Sequence, residues 1–201
     1  AIEAEARGLG PVEVIEHGIP HPPMNRRTHP SPGPRAGLVH LGTISAHKGT
    51  DLVVRAWRAA CPSGQPGLRL HGTIIEPEAA LGHPIGPVLQ RPEVMAALAG
   101  ARALVLAPRW IENAPLIVLE ARSMGCPVIA PAAGGFVELI EDGRDGWLFD
   151  PETPGGLEQA IRAAIAGPLP SPRPPPESEA QFDAIEAVYH RLVCTEAQPC
   201  A

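Results

Sequence analysis

The sequence predicts a doubly wound α/β fold, a Rossmann-like parallel sheet with helices on both faces. Three observations carry that expectation. Short strand-like runs alternate with segments of helical periodicity along most of the chain. The strand-like runs are continuously apolar rather than alternating, as in parallel sheets covered on both faces. The 201 residues, 44% hydrophobic and 19% charged, suffice for one good-sized core.

The elements follow in order. "PVEVIEHGIP" reads as a short strand built on Val12 and Val14 with a turn at Gly18. "AGLVHLGT" is a buried strand ending in glycine. "KGTDLVVRAWRAAC" places Leu52, Val53, Ala56, Trp57 and Ala60 at helical spacing. "GLRLHGT" is a second buried strand, and "RPEVMAALAGA" is a helix with an early proline and Gly100 near its end. Strand "ARALVLAP", helix "PLIVLEARSMG" closed by Gly125, and strand "CPVIAP" come next. "GGFVELIEDG" is a short helix and "GWLF" a short strand. "TPGGLEQAIRAAIAG" is a helix with Thr153 as its cap, and "SEAQFDAIEAVYHRLV" is a last amphipathic helix.

Proline is abundant, 26 residues, and many fall in two clusters, Pro20–Pro34 and Gly167–Glu177. Both read as extended connectors. The chain therefore divides into a linker and first strand over 1–34, a ligand-binding sheet domain over 35–167, and a Pro-rich connector with a carboxyl-terminal helix over 168–201. No internal repeat is visible.

A net charge of −6 argues against a nucleic-acid surface. No run of 18 apolar residues is present to span a membrane. Cys61, Cys126, Cys194 and Cys200 form no C-x-x-C pair and no dense framework, which favours a cytoplasmic location. His17 and His21 stand four apart, but Gly18 and Pro20 between them oppose a helix and no third ligand is near, so no metal site is expected. The opening "AIEAEARGLG" has neither an initiating Met nor a signal peptide and reads as a cut point.

Parallel sheets bind ligands beyond the carboxyl ends of their strands, so three loops stand out. The first is "GTISAHKGT", Gly42 to Thr50. The sixteen basic residues are fifteen arginines and Lys48, the single lysine. An ammonium between strand and helix is either a solvated side chain or a point charge placed for a phosphate. The loop lacks the G-x-x-x-x-G-K-[ST] spacing, and no strand is followed by G-x-G-x-x-G, which disfavours a dinucleotide enzyme such as a dehydrogenase.

The second loop is "PRWIENAPLIVLEA". Asn113 is expected to cap the helix, with Pro115 in its first turn. The free N–H groups of Leu116 and Ile117 would then make an anion site. Glu120 lies seven residues after Asn113, roughly on the same helical face and about 10 Å along the axis. It could accept from a diol such as a ribose, or pair with Arg109 or Arg122. Glu112 could accept from sugar hydroxyls, or serve the cap and the helix dipole. The third loop holds Gly134–Gly135, where the backbone approaches something closely, and Glu138 in a capping arrangement.

Taken together, "E-N-A-P-L-I-V-L-E", "A-R-S-M-G-C-P-V-I-A" and "GG-x-x-E-L-I-E-D-G-x-x-G-W-L-F-x-P" resemble the carboxyl-terminal domain of retaining GT-B glycosyltransferases of the family 4, or group 1, type. The resemblance runs over nearly the whole chain. It implies that the chain is one half of a GT-B fold and binds a nucleotide sugar. In the family's pattern Glu120 would bind the ribose and Glu112 the donor sugar. The backbone at Asn113 and Ala114 would meet sugar hydroxyls, and that at Leu116 and Ile117 the diphosphate. Lys48 would neutralise the leaving diphosphate, with Gly42 and Thr43 beside it, and with no metal or other cofactor.

Lys48 and Glu112 are thus the expected catalytic pair. The family's usual arginine after the loop glycine is Thr43 here, for which His47 or Arg109 could compensate. The acceptor-binding amino-terminal domain would precede this chain, and any membrane contact would belong to it. A hexose-type sugar transferred to a glycan, glycolipid or small molecule is the implied reaction. A non-catalytic nucleotide-sugar-binding module, or another GT-B enzyme such as a sugar-nucleotide epimerase, is the alternative.

Overall fold

Six short strands form one parallel sheet in the computed structural model, which describes residues 13, 15–19 and 34–196. They are β1 (Leu38–Leu41), β2 (Leu68–His71), β3 (Ile85–Gly86), β4 (Ala103–Val105), β5 (Val128–Pro131) and β6 (Gly146–Phe149). Their order is β3-β2-β1-β4-β5-β6, with every pairing parallel. Strand β1 lies between β2 and β4, so Leu38 faces Leu68 on one side and Ala103 on the other. The doubly wound fold expected from the sequence is therefore the one observed.

The helices are α1 (Thr50–Ala60), α2 (Arg91–Gly100), α3 (Leu116–Ser123), α4 (Phe136–Leu139), α5 (Gly156–Ala166) and α6 (Ser178–Glu196), with a 3-10 turn at Pro77–Ala80. Helix α1 packs against α5, and α2 against α3. Every residue of β1, β4 and β5 is buried, which is why these segments read as continuous apolar runs. Val53, Trp57 and Ile161 meet Leu38, Ile129 and Phe149 in one core.

Arg35 secures the far end of the layer from the strand carboxyl ends. It donates to the carbonyls of Leu98 and Ala101 at the end of α2 and to Met124 just past α3 (3.0, 3.1 and 2.6 Å). A guanidinium there satisfies orphan helix carbonyls and complements both dipoles.

The chain divides into two compact units, Arg26–Pro174 and Ala1–Asn25 with Pro175–Ala201. In the second, Ile19 bridges Glu177, and the Gly18 N–H donates to Gln181 Oε1 of α6 at 2.9 Å. The expected strand at Val12 and Val14 falls on residues outside those described. So do His21 and Cys200. His17 is described, and its Nδ1 lies 3.2 Å from Gln181 Nε2.

Several local expectations change. Helix α3 starts at Leu116 with Pro115 at the cap position and no side-chain cap, so neither the Asn113 cap nor a first-turn Pro115 is realised. Proline offers no side-chain acceptor at the cap position, so the first N–H groups of the helix are left without a cap. Thr153 does not cap α5. Gly155 holds that position in the left-handed region (φ 78°), and the Thr153 hydroxyl instead donates to Asp150 at 2.7 Å. Helix α4 likewise begins at Gly135 without a side-chain cap, leaving Glu138 exposed. The edge strand β3 and the 3-10 turn had no counterpart in the sequence reading, being two and four residues long. No helix among the described residues is long and apolar enough to cross a membrane.

Candidate functional site

Strand order reverses at β1, and the loops leaving β1 and β4 part there to open a cleft of about 500 Å³. Gly42, Thr43 and Lys48 line it from the β1 loop, and Leu106 and Pro108 from the β4 end. Glu112, Leu116, Ile117 and Glu120 close it from the α3 side. Seven of the nine residues expected to bind ligand thus share one cavity. Asn113 and Ala114 do not reach its wall and are exposed. The Asn113 carbonyl turns toward Gly135 instead. A second cleft, about 680 Å³, lies beside Trp110 and Ile111, and none of the nine lines it.

Two glycines set the loops at the required distance. Gly49 has φ 70°, and a Cβ on it would fall 1.7 Å from the Ala107 carbonyl oxygen. The Lys48 loop is thereby pressed onto the end of β4. Within the loop, the Lys48 N–H donates to Ser45 Oγ (3.2 Å) and the Ala46 N–H to Glu76 Oε2 (2.6 Å). Gly135 donates its N–H to the Glu112 carbonyl at 2.7 Å, and a Cβ there would lie 1.5 Å from the Asn113 oxygen. The close approach expected of Gly134–Gly135 is therefore made to the Glu112 loop, which it holds in place.

Lys48 Nζ lies 2.6 Å from Glu112 Oε1 and 4.2 Å from the centre of the Trp110 ring. The His47 ring meets Trp110 edge-on, with centroids 3.6 Å apart. Burial pushes the Glu112 carboxyl up, but its contacts with Lys48 and Trp110 and the charges of Lys48 and His47 pull harder. The net result is a carboxylate below its usual range.

Glu120 shows the opposite balance. Burial raises its pKa, and the charge of Arg91, 3.7 Å away, only partly offsets that. Its cationic neighbour is thus Arg91, not Arg109 or Arg122. Arg109 forms a two-pronged pair with Asp51 (2.7 and 2.8 Å). Arg122 is buried and donates to the carbonyls of Leu139 and Arg173. Neither Arg109 nor His47 lines the cleft.

The Leu116 and Ile117 N–H groups have no acceptor among the described residues, and both residues face the cleft. They carry the positive end of the α3 dipole. The cleft is also lined by His40, buried within β1. Its Nδ1 lies 2.8 Å from the Val105 carbonyl and its Nε2 3.2 Å from Thr50 Oγ1. The carbonyl only accepts, so Nδ1 carries the proton and Nε2 accepts from the threonine, and the ring is neutral. Burial depresses its pKa accordingly, against the lift from Val105.

His40 escaped the sequence reading, although a histidine inside "LVHL" beside a ligand loop was a usable signal. Arg91, Trp110 and the apolar wall of Val88, Leu89 and Val94 also escaped it. Those wall residues follow β3, an edge strand too short to show. Among the described residues no three His, Cys, Asp or Glu side chains gather as a metal set.

A parallel sheet with a lysine, a helix N-terminus and two carboxylates around its switch-point cleft makes this an α/β domain of the doubly wound class. Residues 35–166 match the family model "Glycosyl transferases group 1", and the chain belongs to that family.

A D-inositol 3-phosphate glycosyltransferase from Nocardioides sp. is 28% identical, over 77% of this chain and 41% of the relative. A glycogen synthase from Thermus thermophilus is 33% identical, over 60% of this chain and 29% of the relative. The chain therefore spans less than half the length of these curated relatives. A solved glycosyltransferase involved in avilamycin A biosynthesis superposes with a TM-score of 0.71 at 22% identity, covering 95% of this chain and 62% of that one. An Anabaena protein, HepE, solved with UDP and glucose, gives 0.55 at 19% identity, covering 81% and 48%. At such identities the two structures establish a shared fold.

Proposed function

We propose that this chain is the donor-binding half of a retaining glycosyltransferase that takes a hexose-type sugar from a nucleoside diphosphate without a metal. The observation that carries this reading is the convergence of Lys48, Glu112, Glu120 and the α3 N-terminus on one cleft. Glu120 accepts from the two ribose hydroxyls. The Leu116 and Ile117 N–H groups and Lys48 hold the diphosphate. Glu112 accepts from hydroxyls of the sugar.

In the reaction the bond between the sugar's anomeric carbon and the diphosphate oxygen breaks. A bond from the acceptor hydroxyl oxygen to that carbon forms on the same face, and the hydroxyl proton passes to the leaving diphosphate. Negative charge grows on the leaving oxygen, where Lys48 and the helix N-terminus stabilise it. That is the service a divalent metal would otherwise supply.

The acceptor, a glycan, glycolipid or small molecule, is held by a partner domain outside this chain. Exposed Ile74, Ile75, Ile111 and Leu116 rim the strand-carboxyl end and suit a second domain closing there. A second reading, a module that binds the donor without transferring it, is favoured by Thr43, which leaves Lys48 as the one lysine or arginine in the cleft wall.

Calorimetric titration with UDP, GDP, ADP and dTDP, each with and without Mg²⁺, tests the proposal. Saturable, metal-independent binding of one of them is expected. Failure of the folded chain to bind any of the four overturns it.

A further inference from the structure

The cleft is poor in positive charge for a site that must hold a diphosphate. Of the side chains lining it, Lys48 is the one lysine or arginine, whereas Glu112 and Glu120 are both acidic. Arg91 stands outside the lining and faces Glu120. The one useful ammonium is already engaged. It is 2.6 Å from Glu112 and 4.2 Å from the Trp110 ring centre, in a pocket where the two partners' side chains keep 31% and 21% of their exposure. A charge-assisted contact of that length, partly withdrawn from water, is one that an incoming phosphate must compete with.

We infer that Glu112 is a built-in competitor for Lys48, so that the site favours a sugar-bearing donor over the bare diphosphate left after transfer. The inference rests on the proposed donor site. When the ligand carries a sugar, its hydroxyls give Glu112 new donors, and the carboxylate releases Lys48 to the phosphates without being left unpaired. When the ligand is a diphosphate alone, no hydroxyl takes the place of the ammonium. Glu112 then pulls Lys48 back, and a carboxylate left beside the phosphates repels them. The exchange would speed departure of the product. Thr43 sharpens the effect, since an arginine there would supply a second cation that Glu112 does not hold.

The test compares wild type with Glu112→Gln, which keeps size and shape while removing the charge. The chain is titrated calorimetrically with inorganic pyrophosphate and with UDP, GDP, ADP and dTDP. Lys48→Ala serves as the control and a melting curve accompanies each variant. The expected result is binding by wild type, about tenfold tighter pyrophosphate and diphosphate binding by Glu112→Gln, and loss of that gain in the double variant Glu112→Gln/Lys48→Ala. Wild-type binding with equal or weaker binding by a folded Glu112→Gln overturns the competitor role and leaves the donor-site reading standing. No binding of any probe by either folded protein overturns both.

Discussion

Arg91 opens helix α2 and Glu120 lies on α3, and their side chains meet at 3.7 Å beside the cleft. The pair is lopsided: Glu120 is mostly buried and Arg91 is half exposed, at 19% and 51%. Burial therefore outweighs the ion pair and lifts the Glu120 pKa. At neutral pH an acid with a raised folded pKa detracts from stability, because the folded state resists its ionisation more than the unfolded chain does.

Glu120→Gln should accordingly leave the thermal midpoint unchanged or raise it. If the carboxylate accepts both hydroxyls of a ribose, the same change should weaken nucleoside diphosphate binding about 10- to 100-fold. Melting curves and calorimetry on one preparation check both halves. A lowered midpoint would make Glu120 a structural residue instead. The pattern is that of a site kept at some expense of stability.

Arg91→Ala removes the influence that holds the Glu120 pKa down. Affinity that depends on the ionised carboxylate is complete above its pKa and lost as the pH falls through it. Without Arg91 that loss should begin at a higher pH than in wild type. Comparing the two proteins with the same diphosphate cancels the ligand's own titration. Superimposable pH profiles would show that Arg91 does not act on Glu120.

The sheet was legible in the sequence because its central strands are buried on both faces, so "LVHL", "ALV" and "VIAP" carry no competing polar pattern. Lys48, Glu112 and Glu120 were legible as candidates because a lone lysine and two carboxylates stand in loops after strands or on an apolar helix. What they touch was not. Glu120 finds Arg91 from a helix more than twenty residues upstream, and Lys48 finds Trp110 across two loops. Such pairings arise from how loops fold over the strand ends, which spacing does not encode. Caps failed at Asn113 and Thr153 for a related reason. Pro115 and Gly155, which have no side-chain acceptor, hold the two cap positions instead.

Gly135 offers a test of loop positioning. Its backbone is ordinary for any residue (φ −66°, ψ −11°), so only space forbids a side chain. A methyl group there would strike the Asn113 carbonyl and push the Glu112 loop away. Gly135→Ala should cost roughly 1–3 kcal/mol by chemical denaturation and weaken diphosphate binding as well. Gly67→Ala is the control, since nothing lies within 4 Å of the added carbon. Equal stability of the two variants would mean that the loop yields freely.

His40 gives the fold a dependence on pH that can be assigned to one ring. Buried and neutral, it has a pKa below its usual value in the folded chain. The unfolded chain takes up a proton near pH 6.5, where the folded ring does not. Stability from this group is therefore complete above about 6.5 and falls as the pH drops toward the folded pKa, by at most about 1.4 kcal/mol per pH unit.

His40→Gln should be less stable at pH 7.5, because the bonds to Val105 and Thr50 are disturbed. Its disadvantage should then shrink as the pH falls from 6.5 to 5, since only the wild type loses the histidine contribution. Denaturation curves for both proteins across that range decide the matter. A constant gap from pH 7.5 to 5 would mean that the ring accepts a proton in the fold as readily as outside it, contrary to its burial in the cleft wall.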